Sequence, residues 1–268
     1  MPFPDSPRVI YNNNPLEQVI CQLRFPPILR IDTELPARFQ EAIRHEYPLF
    51  EEKHEGVAEI PAELAEQLPA DFLRLPGIGS MDRKSYQFRT LDEQWTLSLT
   101  RDFIALDTSH YTRWEEFQQH FAKPFEVLLD EYSPAIFSRI GLRYQDVIRR
   151  SRLGLSDTPW SELLQPYIAG MLASTSLDGD HIDSTMQVVE IKLANNYGKV
   201  KIRHGFATDR TTGEICYLID NDFFAEKVKD SHEVINRLTQ FNLRARRLFR
   251  WCITDRLHEA MDPQPISG

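Results

Sequence analysis

The chain has 268 residues, 41% of them hydrophobic and 26% charged, with 31 basic against 40 acidic residues and a net charge of −9. That is enough apolar material for a core, which excludes global disorder, and the acidic balance argues against nucleic-acid binding through bulk charge. No apolar run approaches the ~18 residues that span a bilayer, and residues 1–7 lack the basic-then-apolar order of a signal peptide, so no membrane contact and a cytoplasmic location are expected. Cys21, Cys216 and Cys252 sit among apolar neighbours without a CxxC spacing, as buried free thiols do.

Residues 1–14, rich in Pro and Asn, read as an irregular arm. Leu16, Val19, Cys21, Leu23 and Phe25 support a strand that Pro26-Pro27 ends. A helix is expected over residues 35–47, with Thr33 as cap, Pro36 in the first turn, and Phe39, Ile43 and Tyr47 on one face. Residues 51–80 open on the charge run Glu51-Glu52-Lys53-His54-Glu55, are broken by Pro61, Pro69 and Pro76, and read as a long connection with one short helical piece at 61–68. A hairpin follows, with strands at 85–91 and 95–106 turning at Asp92-Glu93-Gln94 and a bulge at Arg101-Asp102.

Trp114, Phe117, Phe121, Phe125, Leu128 and Leu129 recur at spacings of three and four and predict a helix over 114–131. Residues 107–109 are expected to supply its cap and Pro124 to kink it. Residues 136–149 then alternate, Phe137, Arg139, Gly141, Arg143 and Gln145 on one face and Ser138, Ile140, Leu142, Tyr144 and Asp146 on the other, which is the pattern of a strand in a half-solvated sheet. Beyond residue 150 come a helix at 160–172, a polar stretch at 176–184, strands at 186–193 and 199–206 turning at residues 195–198, a third strand at 214–220, and a long final helix at 231–261 capped at Ser231. The order Phe103–Asp107 then helix, repeated as Tyr217–Asp220 then helix, is a weak internal echo.

The expected fold class is α+β in two sheet-and-helix modules. Residues 1–150 form the first, in ferredoxin-like (split βαβ) order; residues 151–268 form the second, an antiparallel three-stranded meander with the long C-terminal helix.

None of the common nucleotide, zinc-protease, serine-hydrolase or paired-cysteine motifs is present. Asp107, Ser109 and His110 suggest acid–base work, but a carboxylate at a strand end is first a capping group. Asp178, Asp180, His181 and Asp183 have oxygen and imidazole donors at short spacing without the order of a calcium loop. Glu190, Lys192, Lys201 and Arg203 read as the charged outside of a hairpin.

The arginines are more suggestive. Residues 139–152 hold five arginines and one acid, and residues 237–256 six arginines and one acid. Arg139, Arg143, Arg149, Arg150, Arg244 and Arg247 are the candidate phosphate- or partner-binding residues, since guanidinium groups grip phosphates and carboxylates bidentately; internal salt bridging is the competing use. Arg246 and Arg250 form a further pair one helical turn apart.

Pro15-Leu16-Glu17-Gln18-Val19, Leu106-Asp107 before Tyr111 and Trp114, and Gly141-Leu142-Arg143-Tyr144 together resemble a sporadically distributed family of uncharacterised bacterial proteins of about 250–280 residues. Many members carry Ile-Asn where this chain has Gln145-Asp146. The resemblance brings no catalytic residue and no cofactor; patchy distribution suggests defence or toxin–antitoxin loci. The leading expectation is therefore a non-catalytic protein-binding component of such a system, acting on a protein partner. The alternative is a nucleic-acid or nucleotide binder that holds phosphates with its arginine clusters. The oligomeric state is left open.

Overall fold

The computed structural model describes residues 3–55, 83–177 and 179–265. Nine strands form one antiparallel sheet in the order β3-β4-β5-β6-β2-β7-β10-β9-β8. They are β2 (Leu16–Arg24), β3 (Leu49–Glu55), β4 (Arg83–Arg89), β5 (Trp95–Thr100), β6 (Phe103–Thr108), β7 (Phe137–Ile148), β8 (Met186–Lys192), β9 (Lys199–Thr208) and β10 (Ile215–Val228). The helices are α1 (Arg30–Thr33), α2 (Ala37–Ile43), α3 (Trp114–Tyr132), α4 (Trp160–Leu163), α5 (Pro166–Ala169), α6 (Ser231–Cys252) and α7 (Asp255–Ala260). The mixed α+β class expected from the sequence is the one observed.

The central strand β7 pairs with β2 on one side and β10 on the other, so the sheet continues past residue 150. From Arg139 onward its alternation sorts side chains as expected: Ile140, Leu142, Tyr144, Asp146 and Ile148 are buried beneath the helices, while Arg139, Arg143 and Gln145 lie half-buried on the opposite face; at its start Phe137, expected beside the arginines, is buried in the core, and Ser138 is exposed. The apolar faces of α3 (Phe117, Phe121, Leu128) and α6 (Val234, Leu238, Phe241, Leu248) supply the other half of the core. Each buried Leu or Phe of this kind contributes roughly 1.5–3 kcal/mol of transfer free energy. Tyr217 fastens α5 to the sheet, its hydroxyl lying 3.0 Å from the Ile168 carbonyl it donates to and 2.8 Å from His204 Nδ1.

Several expectations are corrected. The charge run at 51–55 lies in strand β3, because its glutamates face bases across the strand pair: Glu51 lies 3.7 Å from Arg89 and Glu52 3.8 Å from Lys84. The short helix expected at 61–68 lies outside the described residues. Thr33 ends α1 instead of capping α2, which starts after Pro36. Arg101-Asp102 is a tight turn, with Thr100 opposite Phe103, instead of a bulge; the Thr100 hydroxyl accepts from the Phe103 N–H at 3.1 Å and closes it. Helix α3 has Arg113 at its N-cap with no side-chain cap, so residues 107–109 do not serve it, and it continues through Pro124 as one helix.

The helix expected at 160–172 is split into α4 and α5, because Pro166 disfavours helical backbone at Gln165. Strand β10 runs eight residues past the expected end, since Asn221, Phe223 and Ala225 continue the buried alternation of Ile219. The final helix is also two. Ile253 turns extended and bridges Leu164, and the Thr254 hydroxyl starts α7 by accepting from the Leu257 N–H. The cap of α6 is Asp230, whose carboxylate accepts from the His232 N–H at 2.8 Å, not Ser231. The arm is also ordered within the described residues. Strand β1 (Val9–Tyr11) pairs with β11 (Pro263–Pro265), and Phe3 packs on Trp251.

Gly205 on β9 has φ +158°, and a Cβ there would lie 2.0 Å from the Thr185 carbonyl oxygen and 2.8 Å from Met186 Cα. Gly205→Ala must push the start of β8 away, at an expected cost of about 1–3 kcal/mol. Urea unfolding should show a lowered midpoint; an unchanged one would refute the close approach.

Candidate functional site

The arginines that the sequence singles out fall in two places. On the face of the sheet away from the helices, Arg139 donates to both carboxylate oxygens of Asp222 at 2.7 and 2.8 Å. Arg143 donates through Nε and Nη2 to Asp220 at 2.6 and 2.8 Å, and Arg203 reaches the same carboxylate at 2.9 Å. Gly141 makes this possible: a Cβ there would sit 2.3 Å from the Arg139 guanidinium. Arg149 joins Asp209 and Glu17, and Arg150 donates to the Thr158 carbonyl while stacking over Trp160.

The other pair lies on α6. Arg244, buried, donates to Gln240 and covers the Tyr197 ring, and Arg247 pairs with Asp5 at 2.5 Å. All six residues therefore have a partner inside the chain. Ser109 and His110 hydrogen-bond each other at 3.1 Å, and burial raises the pKa of Asp107 from its ordinary value. Asp178 lies outside the described residues, among which no cluster of three metal-type donors occurs.

A built concavity lies elsewhere. Over the middle of the sheet, between the N-terminal end of α3, the middle of α6 and the arm, lies a cavity of about 410 Å³. Its position follows from the chain's own ties. Trp114 Nε1 and Gln118 Nε2 of α3 each donate to Thr239 of α6 at 3.3 Å, holding the helices together at one point. Arg8 clamps the arm to α3 by donating to both oxygens of Glu115 at 2.8 and 2.7 Å. Small and medium α6 residues, Thr239, Asn242 and Ala245, face the space that remains.

Its floor is polar where the rest of that sheet face is apolar. Tyr144 of β7 lies opposite Asn221 of β10, and Asp146 is two residues farther along the same face. Asn221 is fully buried, yet neither its amide nitrogen nor its amide oxygen has a hydrogen-bond partner among the described residues. An unpaired buried polar group costs about 1–3 kcal/mol, so a side chain with two of them is a marked exception. The Asp146 carboxyl is buried without a hydrogen-bond donor among the described residues, and burial, with a smaller contribution from Asp220, pushes its pKa up to about 8. It is therefore a neutral acid at pH 7.

Around that floor stands a hydroxyl network. Asn242 Nδ2 donates to Tyr111 at 3.0 Å and Tyr144 at 2.9 Å; burial raises the Tyr111 pKa to about 12 and that of Tyr144 well above its usual value. At the far end Tyr11 Oη lies 2.8 Å from His258 Nδ1, and burial holds the His258 pKa below that of free imidazole.

Compared with known proteins, the chain matches no family model and no curated protein. Leu16, Tyr111, Trp114 and Tyr144 line the cavity and lie in the segments quoted for the sequence resemblance. The sequence reading placed Tyr144 and Asp146 on the buried face of β7 and noted the pair Arg246 and Arg250, both of which line the cavity. Asn221 lay beyond the expected end of β10 and left no signal except a polar residue in step with Ile219 and Phe223.

Two predictions follow from these groups. Asp220 is 3% exposed and serves two arginines; Asp220→Ala leaves both cations without it and should lower unfolding free energy by about 3 kcal/mol, with Asp220→Asn less harmful. Equal effects of the two substitutions would refute the ionic role.

Asp146 gives a pH signature. The native state keeps its proton up to about pH 8, whereas the unfolded chain releases it near the ordinary aspartate value of 3.8. Between those limits the native state binds more protons, so this group's contribution to stability falls as pH rises and levels off above about 8. Tyr11, Cys252 and, across the sheet, Asp220 are the groups coupled to it. Asp146→Asn should remove that slope and gain a few kcal/mol at pH 8 relative to pH 5. Parallel stability profiles for the two proteins would overturn the assignment.

Proposed function

We propose that the protein is a non-catalytic binding protein that holds a small molecule in the cavity over β7 and β10. The observation that carries this is Asn221, whose donor and acceptor are both buried and unmatched at the cavity floor. A fold bears such a cost where a ligand completes the pairing, because buried polar groups are otherwise satisfied. The cavity's volume lies in the usual range for small-molecule sites, and its walls combine apolar surface with a few convergent polar groups. The neutral Asp146 and the tyrosine pair serve recognition.

A second reading, a protein partner, is supported by strand β8. It is the last strand of the sheet, and Met186, Val188 and Val189 are all about half exposed on it. An exposed apolar edge accepts an extended segment of another chain as an added strand. Membership of the bacterial family carrying Pro15-Leu16-Glu17 and Gly141-Leu142-Arg143-Tyr144, with its association with defence or toxin–antitoxin loci, is part of this reading, as is a cytoplasmic setting. No helix among the described residues is long and apolar enough to cross a membrane, and the three cysteines are buried and free. The finer architecture, a ferredoxin-like order in the first half and a three-stranded meander in the second, is supported by the neighbours β5-β6-β2-β7 and β8-β9-β10.

Asn221→Leu separates binding from folding. Replacing an unsatisfied amide by an apolar group should leave the empty protein as stable or more so. Native mass spectrometry after exposure to a bacterial small-molecule extract should show a bound mass on the natural chain and none on this variant. A bound mass on both, or on neither, would overturn the cavity reading.

A further inference from the structure

Resting on the cavity reading, three features narrow the ligand. The first is the floor. Asn221 presents a donor beside an acceptor in one plane, and so does the protonated Asp146 carboxyl. On paired antiparallel strands, with Asn221 opposite Tyr144 and Asp146 two residues on, the two groups are diagonal neighbours, roughly 7 Å apart at the backbone. Such a floor suits the edge of a flat, neutral heterocycle that itself alternates donors and acceptors. A charged head group would meet no counter-charge there.

The second feature is the wall. Tyr11, Tyr111, Trp114 and Phe249 surround the floor, and aromatic rings of this kind take the faces of a flat ring. The third is the rim. Arg246 lines the cavity, has its Nε buried without a partner, and makes no hydrogen bond or ion pair among the described residues. The nearest acid, Asp5, is taken by Arg247. Arg250 lines the cavity one turn along the same helix. Beside them begins α3, whose first turn carries Glu115 and Glu116, the first of them paired with Arg8. Among the described residues Arg246 is thus the cation of this rim that an anion would meet unpaired.

We propose that the cavity binds a mononucleotide, with the base edge hydrogen-bonded to Asn221 and Asp146 and the phosphate held by Arg246. These are not the arginines that the sequence nominated for phosphate. Those are engaged with acids, carbonyls and rings of the chain itself, whereas Arg246 is not.

The test is calorimetric titration of the full chain at low salt with adenosine, guanosine, cytidine and uridine, their 5′-monophosphates, and inorganic phosphate. At least one monophosphate should bind, at least tenfold more tightly than its nucleoside, and phosphate alone should not. Asn221→Leu should abolish binding of both forms. Arg246→Gln should erase the phosphate's tenfold advantage and leave the nucleoside's affinity unchanged. Circular dichroism of each variant guards against misfolding. Silence from every nucleotide, or nucleotide binding that survives Asn221→Leu, would overturn the proposal. Should all nucleotides fail while an extract component still binds in an Asn221-dependent way, the mononucleotide falls and the cavity reading stands; should both fail, both readings are wrong.

Discussion

The structure depends on the pairing of β7 with β10. This long antiparallel ladder joins the two halves of the sheet, and its register decides what stands on each face. Away from the helices, it brings Arg139 beside Asp222 and Arg143 beside Asp220, so that the ladder is cross-linked by charge-assisted hydrogen bonds as well as by backbone. A slip of one residue would exchange the faces, placing arginines under the helices and Leu142 in water. On the helix face the same register sets Tyr144 against Asn221. Core, ion pairs and cavity floor are therefore consequences of one alignment.

That alignment also explains the Gly-Leu-Arg-Tyr segment residue by residue. Gly141 leaves room for the Arg139 guanidinium to cross to β10, Leu142 fills the core, Arg143 holds Asp220, and Tyr144 enters the cavity's hydroxyl network. Four consecutive residues thus serve packing, electrostatics and site, alternating with the pleat. Asp220 shows how the balance of charges works: nearly buried, it is tolerated because two guanidinium groups satisfy it.

The cavity inverts this logic. Its floor holds a fully buried amide with no partner and a carboxyl that keeps its proton because nothing nearby offers it a positive charge. Burial without compensation lowers stability, and both groups sit at the centre of the sheet, where apolar substitutes would pack easily. Ties at Thr239 and at Arg8 with Glu115 keep the helices and the arm from closing onto the space. Local cost kept open by local fastening is the arrangement expected of a binding site.

Much of this was legible in the sequence. The periods of two and of three to four located β7, the β8–β9 hairpin, α3 and α6, because side-chain alternation is a local property of strand and helix. Breaks were less legible: Pro166 and the Ile253-Thr254 turn divided expected helices, since their effect depends on what the broken ends pack against. The charge run in β3 and the last eight residues of β10 were missed because their strand character comes from partners across the ladder. The arginine clusters were visible as residues but not as ion pairs, for Asp209, Asp220 and Asp222 lie 60 to 83 residues away along the chain. What the sequence by itself determined is the α+β class and which faces of β7, α3 and α6 turn inward. Only the tertiary structure decided that Asp146 is buried and neutral, that Asn221 has no partner and that Arg246 faces the cavity. Burial, protonation and hydrogen-bond satisfaction depend on neighbours brought from distant parts of the chain, and no local pattern records them.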